Sequence, residues 1–535
     1  MKVLPFRNRG FSQKWSLDEI KAPWGDRQAI YDHVVAHVQP TGLADGWELL
    51  PDDTDFFAGG TRWAPGSLDG PAENHPPAEE DPAETAAWLS GQLVSLLREM
   101  GQEKVDAFYA TVKASTTLDY VDELVELFLA DASVAELERL HRFASWLATK
   151  SSDREPVKLA IALLGIADGG DRPATMEMVR TLGRHDELTL FAAFSLVNLA
   201  EVPDIALWEL ARQVHGWGRI HLVERLADMT VNDDIMDWML REGYRNDVLY
   251  EYLAHICATA GGLDDALADE EVDDALLEGA GDILRTLIDG IGGPAEGMDE
   301  YEEGAVAASL YLEHVLEHEG TVTQLLAVQA IKRYLEDTDA DWEAQATMGW
   351  SEDARESLAE SVAEILKTPD WEEKVRAGLG APPGREFLHA AQAADALGID
   401  PWEHYFKHLQ NGAGYWVQAL QTKDLERVDQ VLELAGSVLP LDGIVQGKVP
   451  APNDKALEAI LLELRHFPGH GWNVIKAGLK SQWVRDRQAA VRALGVWKLS
   501  DWPEQAKFLV RKARADEGNL EVRKAFDDLF VDRGF

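Results

Sequence analysis

After about residue 80, almost every stretch of this chain has the apolar spacing of a short amphipathic helix, closed by a Gly, Pro or Asp turn and followed by another helix. A chain of 535 residues exceeds the size at which a single core stops growing, so such a succession builds several cores or one elongated core. With 46% hydrophobic and 27% charged residues, it has the apolar content to fold rather than stay disordered. The reading is an all-α protein.

Two segments sharpen it. ELTLFAAFSLVNLA and LAIALLGIA are apolar nearly all round, as helices buried on every side must be. They alternate with half-polar neighbours such as PATMEMVRTLG, which is what a two-layer helical repeat requires. Apolar centres near Leu164, Leu196, Leu226 and Leu253 recur every 27 to 32 residues. Val157-Lys158-Leu159-Ala160 with Leu164-Gly165 is echoed by RQAAVRALG (Arg487–Gly495) and by Val522-Arg523-Lys524-Ala525 with Leu529. This V-[RK]-x-A run followed by Leu-Gly resembles the second helix of a HEAT repeat, best over 150–260 and 450–535. The resemblance implies a right-handed α-solenoid of HEAT-like helical pairs, in which the Ala lets the pair pack closely and the Gly ends the helix in a left-handed turn.

The opening of the chain is different. A helix is expected from Asp26 to about Val38, with Ile30, Val34 and Val38 in register. Residues 40–70 then carry Pro, Gly and the apolar Trp47, Phe56, Phe57, Trp63 and Leu68. They read as an ordered irregular loop pinned by aromatics, with 70–82 exposed. Asp81-Pro82-Ala83-Glu84 starts the first repeat helix, Asp81 capping and Glu84 positioned to complete a capping box. The expected divisions are an irregular cap over 1–82, helical repeats over 83–260, an acidic helical region over 261–450 and HEAT-like repeats over 451–535. His215-Gly216-Trp217 with Ile220 and His470-Gly471-Trp472 with Ile475 form an internal echo, read as a repeat corner in which Gly makes the turn. The 18 Trp, Trp88, Trp146, Trp238 and Trp497 among them, are read as core or corner residues.

Formal net charge is −45, which disfavours bare nucleic acid and anionic membrane as partners and favours a basic protein. The charge is uneven. Residues 261–320 hold 18 Asp/Glu against one Arg, whereas 471–535 hold 13 Lys/Arg against 9 Asp/Glu. Asp264, Asp265, Asp273 and Asp274 are therefore candidate partner-binding residues, and the basic end is a candidate for self-association. The single Cys257 allows no intrachain disulfide. MKVLPFRNRGF has no signal-like apolar stretch, and the run Leu159–Ala167 is too short to cross a bilayer, so a cytoplasmic location is the expectation.

The chemical candidates are few. His314 and His318 at i and i+4, with Glu317 between them, have zinc-ligand spacing and resemble the H-x-x-E-H of inverted zinc peptidases. Glu-x-x-His occurs at Glu138/His141, Glu386/His389 and Glu463/His466, as in carboxylate-bridged di-iron bundles, and His404/His408 form a further i, i+4 pair. The Asp337–Asp341 run fails as a calcium loop because Trp342 and Met348 stand where Gly and Glu are needed. The block HGWGRIHLVERLADMTVNDDIMDWMLREGYRNDVLYEYLAHICA is similar to poorly characterised bacterial proteins, some described as hydroxylases. The sequence therefore points first to a non-enzymatic protein-binding scaffold or inhibitor, such as a bacterial immunity or defence component, with no cofactor. The alternative is a metal-dependent enzyme such as a hydroxylase.

Overall fold

The computed structural model describes residues 15–534 apart from 41, 45–46, 58–62, 71–80, 168, 247–249, 291–294, 368–369 and 453–454. MKVLPFRNRGF and most of the 70–82 stretch lie outside the described residues. What is described is all-α: thirty α-helices and one two-stranded antiparallel ribbon, Val38–Gln39 with Gly42–Leu43. The chain divides into two compact units, one formed by 1–53, 63–314 and 330–359, the other by 54–62, 315–329 and 360–535.

In the first unit, the opening helix is Ile30–His37, shorter than the expected Asp26–Val38 because the chain is still extended at Ala29 and Val38 turns into the ribbon. Asp81 caps Pro82–Arg98 through the amide of Ala83, as its position suggested. The full reciprocal capping box occurs at the start of Val134–Lys150, between Ser133 and Glu136. Beyond it, Arg154–Ile166, Asp186–Leu199, Trp217–Met229, Glu251–Gly261 and Asp274–Asp289 pack each against the next as one row. Leu164, Leu196, Leu226 and Leu253 sit in the first four of these and are fully buried. Arg172–Gly183 and Pro203–Ala211 lie against the row as its second layer. The stack of helical layers expected from the apolar periodicity is present.

One expectation is corrected here. Gly165 does not end its helix in a left-handed turn. It lies inside Arg154–Ile166 with ordinary φ, and the helix closes at Ala167. A Cβ on Gly165 would press on Ser195 of the neighbouring helix, and the Ser195 hydroxyl donates to the Ile161 carbonyl at 2.5 Å. Gly165 thus brings two largely buried helices together. Gly495 likewise lies within Val484–Val496.

The HGW corners behave as expected. Gly216 (φ 78°) precedes Trp217–Met229, and Gly471 (φ 70°) precedes Trp472–Gly478, each at the N-cap position. Ile220 and Ile475 are buried one turn later. Asn246 holds the first corner from both sides, accepting from the Gly216 amide at 2.6 Å and donating to its carbonyl at 3.0 Å. A feature without sequence warning is the π-helical turn Met239–Gly243. The extra residue pushes the Leu240 carbonyl against Gly279 in Asp274–Asp289, where a Cβ would collide with it.

In the second unit, Trp371–Leu379 packs on Arg385–Ala396, and Ala456–Glu463, Val484–Val496 and Leu520–Arg533 stack in turn. Tryptophans close its corners: Trp402 Nε1 donates to the Ala419 carbonyl at 2.9 Å, and the fully buried Trp497 donates to Leu464 at 2.7 Å. Such indoles fill core volume and satisfy a carbonyl that a helix end leaves unpaired. In the first unit Trp88 and Trp63 depart from this pattern, at 42% and 56% exposed.

These contacts make glycine replacements opposite in sign. Gly279→Ala should lower the stability of the first unit by about 1–3 kcal/mol through overpacking. Gly91→Ala, on the open face of Pro82–Arg98 with nothing near its Cβ, should raise it by about 0.5–1 kcal/mol through helix propensity. Chemical denaturation of both variants checks the pair.

Candidate functional site

The acidic run around residue 270 belongs to the first unit. Asp265, Asp269, Glu270, Glu271, Asp273 and Asp274 are exposed and Asp264 is half-buried. A second acidic string comes beside them at Tyr301. Burial first, and then the charges of Asp264, Glu303 and Asp265, hold the Tyr301 hydroxyl far above the usual phenol range. Asp264, Asp265 and Glu303 are thus brought near one another at Tyr301. The four candidate aspartates are not equivalent, however. Asp273 is the N-cap of Asp274–Asp289, accepting from the Leu276 amide at 2.9 Å, and it also pairs with Arg241. The Leu276 amide and Arg241 keep its carboxyl below the usual range. Asp273 is thereby committed to the fold, and Asp264, Asp265 and Asp274 carry the outward charge.

The histidine candidates have other work. His314 is buried, and its Nε2 bonds to the Leu267 carbonyl at 2.8 Å. That nitrogen carries a proton and is not a free metal ligand. Glu317 is the last residue of Gly304–Glu317 and is exposed, and His318 lies past the helix end. Among the Glu-x-x-His pairs, His141 bonds the Thr175 hydroxyl, His389 bonds the Thr323 hydroxyl, each at 2.8 Å, and His466 accepts from Arg465 at 2.9 Å. Among the described residues, no three His, Cys, Asp or Glu side chains are grouped to hold a metal ion. Cys257 is fully buried, which pushes its thiol far above the ordinary range.

The densest polar cluster was missed in the sequence. Arg154 and Lys158, on the first turns of Arg154–Ile166, are each under 3% exposed. Lys158 Nζ lies 2.7 Å from Asp69, 2.9 Å from Glu187 and 3.3 Å from Glu155. Arg154 pairs with Asp52 at 3.1 Å, with Asp53, and with Glu187 at 3.4 Å. Backbone amides supply the remaining donors: Arg154 N–H to Asp52 at 2.7 Å, Thr117 N–H to Glu155 at 2.6 Å and Gly66 N–H to Glu187 at 3.0 Å. Three of the carboxylates, Asp52, Asp53 and Asp69, come from the irregular stretch before residue 70. Next to this, Asp153 takes both oxygens to Arg27 (2.8 and 2.7 Å), one to Lys113 (2.9 Å) and one from the Tyr109 hydroxyl (2.5 Å). The starts of helices are where carboxylates are best placed, since free amides and the helix dipole favour negative charge there.

The network divides its carboxylates electrostatically. Burial, opposed by Lys158 and reinforced by Glu187 and Glu155, pushes Asp69 up to about 6. Burial also works to raise Glu187, but Lys158, Arg154 and the Gly66 amide hold it down to about 2. His185, the N-cap of Asp186–Leu199, accepts from the Glu187 amide at 3.2 Å, and burial pushes it down to about 3, so it stays neutral. With every cation matched to carboxylates at short range, the cluster is built to hold the irregular stretch onto two helix starts.

Among the described residues, no helix is long and apolar enough to cross a membrane. Comparison with known proteins finds no matching family, no similar curated protein and no similar solved structure.

The ion network gives a pH signature. Asp69 keeps its proton in the folded state up to about 6 but only to about 4 when unfolded. Its contribution is full at low pH and is lost as pH rises through 6. The stability of the wild type relative to Asp69→Asn should therefore grow, by something on the order of 2 kcal/mol, as pH falls from 7 to 4. Urea unfolding of the two proteins across that window checks the sign. Lys158→Ala, which strands three carboxylates, should cost about 3–5 kcal/mol at pH 7.

Proposed function

We propose that this chain is a non-catalytic scaffold or inhibitor that holds a basic protein partner on the acidic face of its first unit. The observation that carries the reading is the run of exposed carboxylates over 265–274, of which Asp273 is paired with Arg241, together with the approach of Glu303 to Asp264 and Asp265 at Tyr301. A high density of exposed like charge costs self-repulsion, which a cationic partner relieves, and it speeds encounter with such a partner. Stacked helical layers suit the role because they present side chains from successive helices on one continuous surface. Asp264, Asp265 and Asp274 serve the fold only as first-turn charges at helix starts, whereas Asp273 also caps its helix and pairs with Arg241. The HEAT-like signature supports the same reading, since arrays of that kind mostly bind other proteins. The metal-dependent alternative has less support, because one ring nitrogen each of His314, His141, His389 and His466 is taken by Leu267, Thr175, Thr323 and Arg465, and among the described residues no three ligating side chains are grouped.

The test separates recognition from folding. With a partner captured from the native cell, Asp264→Asn, Asp265→Asn and Asp274→Asn together should weaken binding at least tenfold and flatten its dependence on salt, with only a small change in melting temperature. Asp273→Lys should lower the melting temperature through its lost cap and ion pair. Binding that is as tight and as salt-dependent after the triple change as before would remove this face from the account.

A further inference from the structure

The second unit has a groove of opposite character. It lies between the turn Leu420–Leu425 and the 3-10 turn Leu464–His466 that follows Ala456–Glu463, and it encloses about 640 Å³. Leu420 and Phe467 are buried along it and Leu425 is half exposed, so its floor is apolar. Its polar lining includes Lys423, Arg465, His466 and one carboxylate, Glu463. In this unit many cations are matched: Arg427 with Asp400, Arg376 with Glu372, Lys374 with Asp370, Arg487 with Glu517 and Arg514 with Asp527. Lys423 and Arg465 form no ion pair with any described residue. Arg465 instead donates through Nε to His466 Nε2 at 2.9 Å. That bond fixes the guanidinium plane and leaves its two terminal nitrogens for a further acceptor. It also requires an unprotonated Nε2 on His466, so the imidazole adds no charge. The local balance is two cations against one carboxylate.

We propose that this groove is a binding site for an aliphatic monocarboxylate: the carboxylate meets the terminal nitrogens of Arg465 and the Lys423 ammonium, and the hydrocarbon lies on Leu420, Leu425 and Phe467. A guanidinium with two free parallel donors matches the two oxygens of a carboxylate. A single excess positive charge matches one carboxylate, and the Glu463 wall disfavours a multiply charged anion such as phosphate. An apolar floor with few convergent polar groups is the usual build of a small-molecule site. The same chemistry could come from a free fatty acid or from the C-terminal leucine of a peptide. The site is remote in composition from the acidic face and does not depend on it.

Calorimetric titration of the full chain at low salt tests the assignment with four probes: octanoate, an N-acetylated tripeptide ending in leucine carboxylate, the same peptide amidated, and inorganic phosphate. Binding of octanoate or of the free-carboxylate peptide is expected, the tighter of the two naming the source, with neither the amide nor phosphate bound. Arg465→Gln should weaken that binding at least tenfold, through loss of the guanidinium's two charge-assisted hydrogen bonds, and Lys423→Gln should weaken it less. Glu463→Gln should strengthen it. Both arginine and lysine are surface residues, and an unchanged melting temperature confirms that the variants are folded. Failure of octanoate and the free-carboxylate peptide to bind at millimolar concentration, or binding equal in the wild type, Arg465→Gln and Glu463→Gln, would overturn the proposal.

Discussion

Two helices of the first unit, Arg154–Ile166 and Asp186–Leu199, are enclosed by neighbours on nearly every side, and their first turns carry charge. Much in this half of the molecule follows from that constraint. An unpaired ion in such a position would cost several kcal/mol, so Arg154, Lys158, Glu155 and Glu187 must find partners within reach. The chain meets the requirement from two directions. Helix-start amides of Arg154 and Thr117 satisfy carboxylates, and Asp52, Asp53 and Asp69 are brought in from a stretch that forms almost no regular structure. These ions act beside the apolar packing of Leu50 and the Trp47–His185 contact in holding the Pro/Gly-rich segment to the helical array. A comparable arrangement closes the other end of the chain, where Arg487 grips both oxygens of the buried Glu517 at 2.7 and 2.9 Å.

The same physics separates structural charge from available charge. Asp273, Asp153 and Glu517 have carboxyls held below their usual range by amides and cations, and each is part of the fold. Asp264, Asp265 and Asp274 lie beside them in sequence or in kind, yet their charge faces outward. In the second unit the balance reverses locally: Lys423 and Arg465 keep their charge for a groove. The protein thus carries exposed carboxylates over 265–274 and, in the second unit, a cationic groove with an apolar floor, each set apart by ions that the fold does not pair.

Much of the architecture was legible in the sequence because helical burial has a clear period. Leu164, Leu196, Leu226 and Leu253 mark successive helices of one row, and both HGW corners sit at helix starts. The glycine at 165 was misread, since a glycine near the end of an apolar run is the ordinary sign of a helix cap. Only the approach of Ser195, 30 residues away in sequence, reveals its packing role. The π-turn at Met239–Gly243 leaves no mark in the apolar spacing. The ion network had a signal that went unused. One segment read as buried on every side began with Glu187 and the other directly follows Lys158, and a charge on such a helix predicts a buried partner. What the sequence could not supply was the partner's identity, because Asp52 and Asp69 are about 90 to 120 residues distant and lie in irregular backbone.

The most direct measurement is amide hydrogen exchange on Lys158→Met beside the wild type. If buried ions fasten the irregular stretch to the two helix starts, the amides of Gly66 and Asp69 and of the first turn after His185 will lose protection while the Trp217–Met229 helix keeps its own. Unchanged protection at Gly66 and Asp69 would contradict the account.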